Sequence, residues 1–185
     1  MTATKTRFTY QDYLALPETI NRVELIGGEL VREPSPGASH QKIVGNLYYH
    51  LRRFVRRRRL GTVFLGPLDV VLGAEGEEEV FQPDILVVAR DRLAIVGKVV
   101  RGAPDLVIEV LSPSTTTRDR EVKQRAYAHY GVREYWIVDP ESRTIEVLSL
   151  REGEFASLGV FGGGDTVASS VLPELRLSAS KIFEP

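Results

Sequence analysis

Two carboxylates and a lysine in the middle of the chain are placed where they could do chemistry together. Glu109 interrupts residues 106–111, whose other five members are aliphatic. Side chains alternate along a strand, so Glu109 would share a face with Val107 and Leu111, and the opposite face is also apolar. An ionised carboxylate covered on both sides is unfavourable by several kcal/mol unless something compensates it. Protonation, a paired cation or a bound metal ion would each do so.

A second acid favours the metal ion. Asp84 follows Pro83 at the start of the apolar stretch "DILVV", and a proline fits the beginning of a strand. On neighbouring strands, Asp84 and Glu109 would meet near one sheet edge, where carboxylate oxygens suit Mg²⁺. Two simpler alternatives remain at this point. Asp84 could be a turn residue, because Pro-Asp is common in turns, and Glu109 could pair structurally with an arginine or lysine.

Lys123 would add a cation to the two acids. It lies 14 residues after Glu109 on a predicted helix, and Tyr127 stands one turn further on the same face. Such a set suits phosphodiester hydrolysis: the metal polarises the phosphate and activates water, and the lysine offsets charge or positions the nucleophile. The simpler alternatives are a surface ion pair of Lys123 with Asp119, worth about 0.3–0.5 kcal/mol, and a Tyr127 ring packed on the sheet.

The elements that must position these residues can be read from the pattern of the chain. We expect a short helix ending at Pro17, a hairpin around Gly27-Gly28 and a long helix over 39–60. Two strands broken at Gly66-Pro67 follow over 61–73, then a strand within 81–89 that Pro83 opens, and a strand over 105–112. A helix over 117–130, capped by Thr116 or Thr117, precedes a hairpin around "PESR" and short antiparallel strands in the tail. The central strand–helix–strand order predicts an α/β (α+β) fold with a mixed sheet flanked by helices.

The long helix carries two further features. His40 follows the loop "PSPGAS" and opens the helix, where a histidine would contact substrate or metal-bound water, or would simply be exposed. The run "RRFVRRRR" over 52–59 contains six arginines. Arg52, Arg56 and Arg59 would align on one side, and arginine forks suit phosphate oxygens. The alternative is a solvated helix end, because cations are favourable there.

Composition limits the classes of protein to which the chain could belong. The 185 residues, 43% hydrophobic and 26% charged, suit one domain spanning 1–185. A net charge of −1 provides no global basic field for nucleic acid, so any such partner needs a local patch. The absence of cysteine excludes disulfides and cysteine metal sites. No leader and no long apolar run is visible, which predicts a cytoplasmic protein without membrane contact. The glycine cluster "FGGGD" lacks the lysine of a phosphate-binding loop.

Four segments resemble a known family. These are "VELIGGEL", "QPD" at 82–84, "PDLVIEVLSPST" at 104–115 and "DREVKQRAYAHYGVREYWIVDP" at 119–140. Together they resemble the Uma-two family of prokaryotic proteins, within the PD-(D/E)xK nuclease superfamily. The resemblance covers the chain to about residue 150. It implies a restriction-endonuclease-like core with an Mg²⁺-dependent phosphodiesterase site, at which Mn²⁺ could replace Mg²⁺.

The resemblance also implies roles for individual residues. Asp84 matches the acid of the first half-motif and Glu109 the acid of the second. The usual lysine position is Leu111 here, and Lys123 from the following helix would replace it. Glu24 matches a further acid that some members add, and the backbone carbonyl of Val110 would be an additional metal ligand.

Two functions follow from these residues. The first is a metal-dependent endonuclease that hydrolyses nucleic acid, with DNA as the favoured substrate and a homodimer as the expected assembly, since many nucleases of this type cut both strands as dimers. Its site would comprise Asp84, Glu109, Lys123 and Glu24, with His40, Tyr127, Arg52 and Arg56 as substrate contacts. The second is a module that binds nucleic acid or another partner on a nuclease fold without turnover.

Overall fold

The fold is that of a computed structural model, which describes residues 7–17, 22–113 and 115–184. The helices are α1 (Tyr10–Leu14), α2 (Ala38–Arg58) and α3 (Gln124–His129), with a π-helical segment at Arg118–Lys123 and 3-10 helices at Arg90–Ile95 and Ala179–Ile182. Within these residues, no helix has the length and apolar character needed to cross a membrane.

The strands form two sheets and one small pair. They are β1 (Arg22–Ile26), β2 (Glu29–Glu33), β3 (Gly61–Leu65), β4 (Val70–Leu72), β5 (Glu79–Phe81), β6 (Ile85–Ala89), β7 (Val100–Arg101), β8 (Leu106–Val110), β9 (Glu134–Asp139), β10 (Thr144–Arg151), β11 (Glu154–Gly162), β12 (Thr166–Val167) and β13 (Leu177–Ser178). The larger sheet has the order β11-β10-β9-β8-β6-β3, the second has β2-β1-β5-β4-β7, and β12 pairs with β13. Since β8 runs parallel to β9 and antiparallel to β6, the predicted mixed sheet is confirmed.

The β1–β2 hairpin has the predicted turn. Gly27 and Gly28 both have positive φ, +58° and +77°, which is the backbone conformation of a two-residue turn matched to the twist of a hairpin. The register then places Leu25 opposite Leu30 and Arg22 opposite Glu33. Two charged side chains are thereby brought together at the open end of the hairpin.

The core lies on both faces of β8. Leu106, Ile108 and Val110 join one apolar cluster with residues of α2, including the fully buried Leu47 and Leu51. Burial of each such leucine contributes about 1.5–3 kcal/mol. On the other face, Val107 and Leu111 pack with Tyr127 of α3. The expectation that the strand carrying Glu109 is covered on both sides is therefore confirmed.

The strand opened by Pro83 is confirmed as β6, which begins at Ile85, whereas the residues before the proline belong to the other sheet, in which β5 ends at Phe81. Two other local predictions are wrong. Thr116 and Thr117 do not cap the third helix: Thr117 makes no capping bond, and the Thr116 hydroxyl donates to the Ser112 carbonyl at 2.8 Å. In the tail, β11 is nine residues long rather than short.

Candidate functional site

The change of sheet between β5 and β6 places Asp84 opposite the end of β8. Ile85 pairs with Ile108 in antiparallel register, so Asp84 lies just beyond this pair, beside the last residues of β8. The Val110 N–H donates to Asp84 Oδ2 at 2.9 Å. Asp84 and Glu109 are 2% and 3% exposed. Two nearly buried acids therefore meet at one sheet edge, as the sequence predicts.

Two basic side chains, Arg22 and His40, hold Asp84 from the other side. Arg22 donates to Asp84 Oδ1 at 2.7 Å, and His40 Nε2 lies 3.1 Å from Oδ2. Burial raises the pKa of Asp84, but the hydrogen bond and charge of His40 and the charge of Arg22 outweigh burial, and the pKa lies below its usual value. Asp84 is accordingly ionised at neutral pH. His40 then donates through Nε2, because an ionised carboxylate only accepts.

Lys123 lies at the centre of four carboxylates. Its Nζ is 3.0 Å from Glu24 Oε1, 3.1 Å from Glu109 Oε1, 3.5 Å from Asp119 Oδ1 and 3.6 Å from Glu33 Oε1. Burial lowers the pKa of Lys123, but these acids, with Glu109 and Glu24 foremost, outweigh it and hold the pKa well above its usual value. The lysine therefore remains charged, and the predicted pair with Asp119 exists inside the protein rather than on its surface.

Glu109 receives both of its hydrogen bonds on one oxygen. Lys123 Nζ at 3.1 Å and the Tyr127 hydroxyl at 2.9 Å donate to Oε1. Oε2 makes no hydrogen bond to any residue that the structure describes, and it is the oxygen available to a ligand. Burial, with further contributions from Asp119 and the other nearby acids, raises the pKa of Glu109 well above its usual value despite the lysine.

Glu24 completes the buried cluster from β1. Its Oε1 accepts the Gln82 N–H at 2.7 Å as well as Lys123, while Oε2 is buried without a hydrogen-bond partner in the described part of the chain. Burial, opposed by Lys123, raises the pKa of Glu24. The acid expected from an early element is thus brought to the site, although it contacts Lys123 rather than the open space beside Asp84.

A cavity of about 260 Å³ opens beside the two acids. Its lining residues are Arg22, Glu33, Pro34, Ser35, Pro36, Gly37, His40, Asp84, Glu109, Val110, Ser112, Pro113, Thr115 and Asp119. Four of the predicted site residues, Asp84, Glu109, Val110 and His40, therefore face one space. Glu24, Lys123 and Tyr127 do not line the cavity and contact the site from its buried side.

The donor set fits a divalent metal ion in charge and chemistry. Five carboxylates (Glu24, Glu33, Asp84, Glu109 and Asp119) are paired with three cations (Arg22, Arg118 and Lys123). With all five acids ionised and His40 neutral, the acids exceed the cations by two charges. Within the described residues, no group of three or more histidine or acidic side chains is arranged to hold a metal ion. Mg²⁺ needs only one or two protein carboxylates, because water and substrate phosphate complete its octahedron.

Sequence reasoning missed four contributors to the site: Arg22, Glu33, Arg118 and Asp119 as a site acid. For the first two a signal was present, because counting outward from the Gly27-Gly28 turn places Arg22 opposite Glu33. Arg22 and Glu24 are two residues apart along β1, so their side chains lie on the same face of the strand. Asp119 lies in the π-helical segment with Lys123, and both are buried. No local sequence signal specifies that segment.

Arg52 and Arg56 lie away from the acidic cavity. They line two other hollows at the far end of α2, together with Arg59. At 1.5 Å per residue, positions 52 and 56 are about 18–24 Å along the helix from His40. The structure therefore does not bring these predicted contacts to the acids, although one helix joins the two places.

Comparisons with known proteins identify the family and the fold of the chain. The family described as "Uma2: Putative restriction endonuclease" matches residues 10–180. The crystal structure of "a putative nuclease belonging to DUF820" from Anabaena variabilis ATCC 29413 is 26% identical, covers 95% of this chain and 97% of its own, and superposes with a TM-score of 0.81. A search of curated proteins found no match. The predicted nuclease core is confirmed, and the chain belongs to the Uma2 family of restriction-endonuclease-like proteins.

Proposed function

We propose that the protein is a metal-dependent endonuclease that hydrolyses phosphodiester bonds of DNA, with Mg²⁺ or Mn²⁺ as its metal. The observation that carries the proposal is the pair Asp84 and Glu109. Asp84 immediately precedes β6 and Glu109 lies on the adjacent β8. Both face one cavity and belong to a cluster with more acidic than basic side chains. We further propose that residues 1–185 act as one nuclease domain. The nuclease-like fold and the family of the chain support both proposals.

Each residue has a role set by its contacts. Asp84, Glu109 through Oε2 and the Val110 carbonyl would hold the metal, which when bound would polarise the phosphate and lower the pKa of its water. Lys123 and Tyr127 fix Glu109 through Oε1, so that the other oxygen faces the cavity. Their effect is to orient the carboxylate and, for Lys123, to favour its ionised form.

Glu24 and His40 support the same centre from two sides. Glu24 contributes a second strong acceptor to Lys123 and keeps its ammonium in the cluster. His40 holds Asp84 through Nε2 and also lines the cavity, where its ring can contact a substrate phosphate or a water molecule. Arg22 neutralises the charge of Asp84 in the absence of metal and lines the same cavity.

Cleavage assays with matched variants test the proposal. Supercoiled plasmid, single-stranded DNA and RNA would each be incubated with Mg²⁺, Mn²⁺ or EDTA. We expect metal-dependent cleavage of DNA that falls by at least about 10²–10³-fold in Asp84→Asn and Glu109→Gln. The exposed Asp91→Asn and Glu154→Gln carry the same chemical changes elsewhere and should cleave normally. Cleavage that persists in both site variants would contradict the proposal.

A second function, a binding module without turnover, is favoured by one feature of the site. Leu111 occupies the usual lysine position and packs in the core, while Lys123 is held among four carboxylates and does not line the cavity. This function predicts salt-dependent binding of nucleic acid by the wild-type protein without cleavage in either metal. Cleavage that disappears in the two site variants would exclude it.

A further inference from the structure

The far end of α2 carries a concentration of arginines, most of which have no acidic partner in the part of the chain that the structure describes. Of the six arginines at 52–59, Arg58 alone forms an ion pair with a described residue, Glu174. Arg52, Arg53, Arg56, Arg57 and Arg59 are all exposed and form no such pair within residues 7–17, 22–113 and 115–184. In a protein whose net charge is −1, this is a local positive surface rather than a general basic character.

The end of the helix does not account for this surface. Cations within the last turn of a helix are favoured by its dipole, but the effect fades beyond that turn. Arg52 and Arg53 precede the last turn, and Arg90 reaches the same hollow from the 3-10 helix after β6. Arginines from two separate elements thus converge on one cavity of about 490 Å³ between α2, β3 and this 3-10 helix.

Aromatic side chains lie among the arginines. A second hollow of about 630 Å³ on the adjoining face of α2 is lined by Tyr48 and Tyr49 together with the arginines. The Arg52 guanidinium lies over the Tyr48 ring at 6.0 Å, and Tyr49 is 59% exposed. A group of cations beside an exposed aromatic ring is a combination that binds single strands, since phosphates contact the arginines and a base stacks on the ring.

We propose that this surface, defined by Arg52, Arg53, Arg56, Arg57, Arg59, Arg90, Tyr48 and Tyr49, binds a single-stranded segment of nucleic acid. The inference extends the proposed function by naming a substrate class, nucleic acid with an unpaired segment. Arg52 and Arg56 lie about 18–24 Å along α2 from His40. A strand held here would run beyond the cleaved bond rather than through the acidic cavity, and its binding requires neither Asp84 nor Glu109.

Binding in EDTA separates this inference from the cleavage reaction. The fluorescence anisotropy of a labelled single-stranded oligonucleotide, a duplex of equal length and an RNA oligonucleotide would be measured with full-length Glu109→Gln. We expect the single strands to bind more tightly than the duplex. Combining Arg52→Gln, Arg56→Gln and Arg90→Gln in the same background should weaken binding at least tenfold and reduce the slope of log K against log salt by about 2.

Two further variants make the result specific. A control variant removes the same number of positive charges outside this surface, by combining Lys98→Gln, Arg125→Gln and Arg151→Gln. It should bind the oligonucleotides within twofold of Glu109→Gln alone. Tyr49→Ala should weaken single-strand binding about fivefold or more, since one stacked base contributes about 1–3 kcal/mol, and should leave duplex binding unchanged. Circular dichroism would confirm that all variants are folded.

The outcomes distinguish this inference from the nuclease proposal. Tight single-strand binding that depends on the arginines, in a protein that never cleaves, would support the surface and contradict the enzyme. Cleavage with no effect of the arginine or tyrosine changes on binding would support the enzyme and overturn the surface. Duplex binding as tight as single-strand binding would also overturn the inference.

Discussion

At the scale of the residue, the central feature is a pair of acids with opposite environments. Asp84 accepts hydrogen bonds from Arg22, His40 and the Val110 N–H, and its pKa is lowered. Glu109 is buried among other carboxylates, and its pKa is raised even though Lys123 contacts it. The fold therefore stabilises Asp84 as an anion without a metal ion. A cation bound in the cavity would in addition favour the ionised form of Glu109.

The two acids should affect stability with opposite dependence on pH. In metal-free protein, native Glu109 binds its proton more tightly than the unfolded chain does. The wild type thus loses stability as pH rises from about the ordinary value of 4.5 through the raised pKa. Relative to wild type, Glu109→Gln should therefore gain in free energy of unfolding across this window. Urea denaturation at a series of pH values would measure the gain, and a relative stability that is constant or falls with pH would contradict it.

Asp84 provides the matched comparison. Its pKa is lowered, so its contribution to stability is present above the ordinary value of 3.8 and disappears as pH falls through the lowered pKa. Asp84→Asn should be less stable than wild type at neutral pH, and the difference should vanish in acid. The same denaturation series checks both variants, and equal slopes for the two would show that the environments are not opposite.

Lys123 should be important to the fold as well as to the site. Replacing it by methionine leaves Glu24, Glu109 and Asp119 without their shared cation. Breaking a buried ionic cluster by removing one partner costs about 3–5 kcal/mol. We expect Lys123→Met to lose about this much in urea denaturation at pH 8 and to recover part of it at pH 5, where the acids take up protons. An unchanged stability at pH 8 would show that the lysine does not neutralise the cluster.

At the scale of the element, three segments bring the site together. The β5–β6 corner turns the chain from one sheet into the other and places Asp84 beside β8. The π-helical segment presents Asp119 and Lys123 to the buried face of Glu109, and π-helical turns are frequent at functional sites. The β1–β2 hairpin supplies Arg22, Glu24 and Glu33. Each element contributes charged side chains whose burial would be unfavourable without the opposite charges that the other elements contribute.

The hairpin turn provides a test at this scale. Gly28 has a φ of +77°, and a Cβ there would lie 3.0 Å from the Arg7 Cβ. We expect Gly28→Val to lower stability by about 1–3 kcal/mol and to weaken metal binding, because the strand that carries Arg22 and Glu24 shifts. Gly27→Asn is the control, since a Cβ at this position meets nothing within 4 Å and asparagine tolerates positive φ. Equal effects of the two changes in thermal denaturation would contradict this account.

At the scale of the whole molecule, the charges are separated along one helix. The N-terminal end of α2 carries His40 to the acidic cavity, and its C-terminal end carries the arginine surface. A net charge of −1 conceals this separation. The larger sheet and α2 hold the two regions at a fixed distance, because Leu47, Leu51 and Val55 of the helix are buried against the sheet. This arrangement suits a long polyanion better than a small substrate.

Much of the core of the site could be predicted from the sequence. An acid within an aliphatic strand is conspicuous because burial makes it unfavourable, and this identified Glu109. The Gly27-Gly28 turn fixed the hairpin, and helical spacing placed Tyr127 beside Lys123. The resemblance of four segments to a family supplied the nuclease core and the acid in β1.

The remaining features depend on tertiary structure. Pro83 marks the start of β6, but the pattern does not show that β5, before the proline, belongs to a different sheet. The depth of Lys123 depends on four acids from three other elements and its own helix, which no local pattern reveals. The distance of Arg52 from the acids depends on the length and direction of α2 across the sheet. Local secondary-structure propensity predicts none of these three features.

The most direct test of the central claim is calorimetric titration of the protein with Mn²⁺. We expect one divalent site in the wild type that is lost in Glu109→Gln and retained in the exposed control Glu154→Gln. A bound cation should lower the raised pKa of Glu109, so binding should release protons at pH values within the titration of this carboxyl, and titrations in buffers of different ionisation enthalpy would detect this. Equal binding by the wild type and Glu109→Gln, or none by the wild type with uncleaved DNA present, would contradict the account.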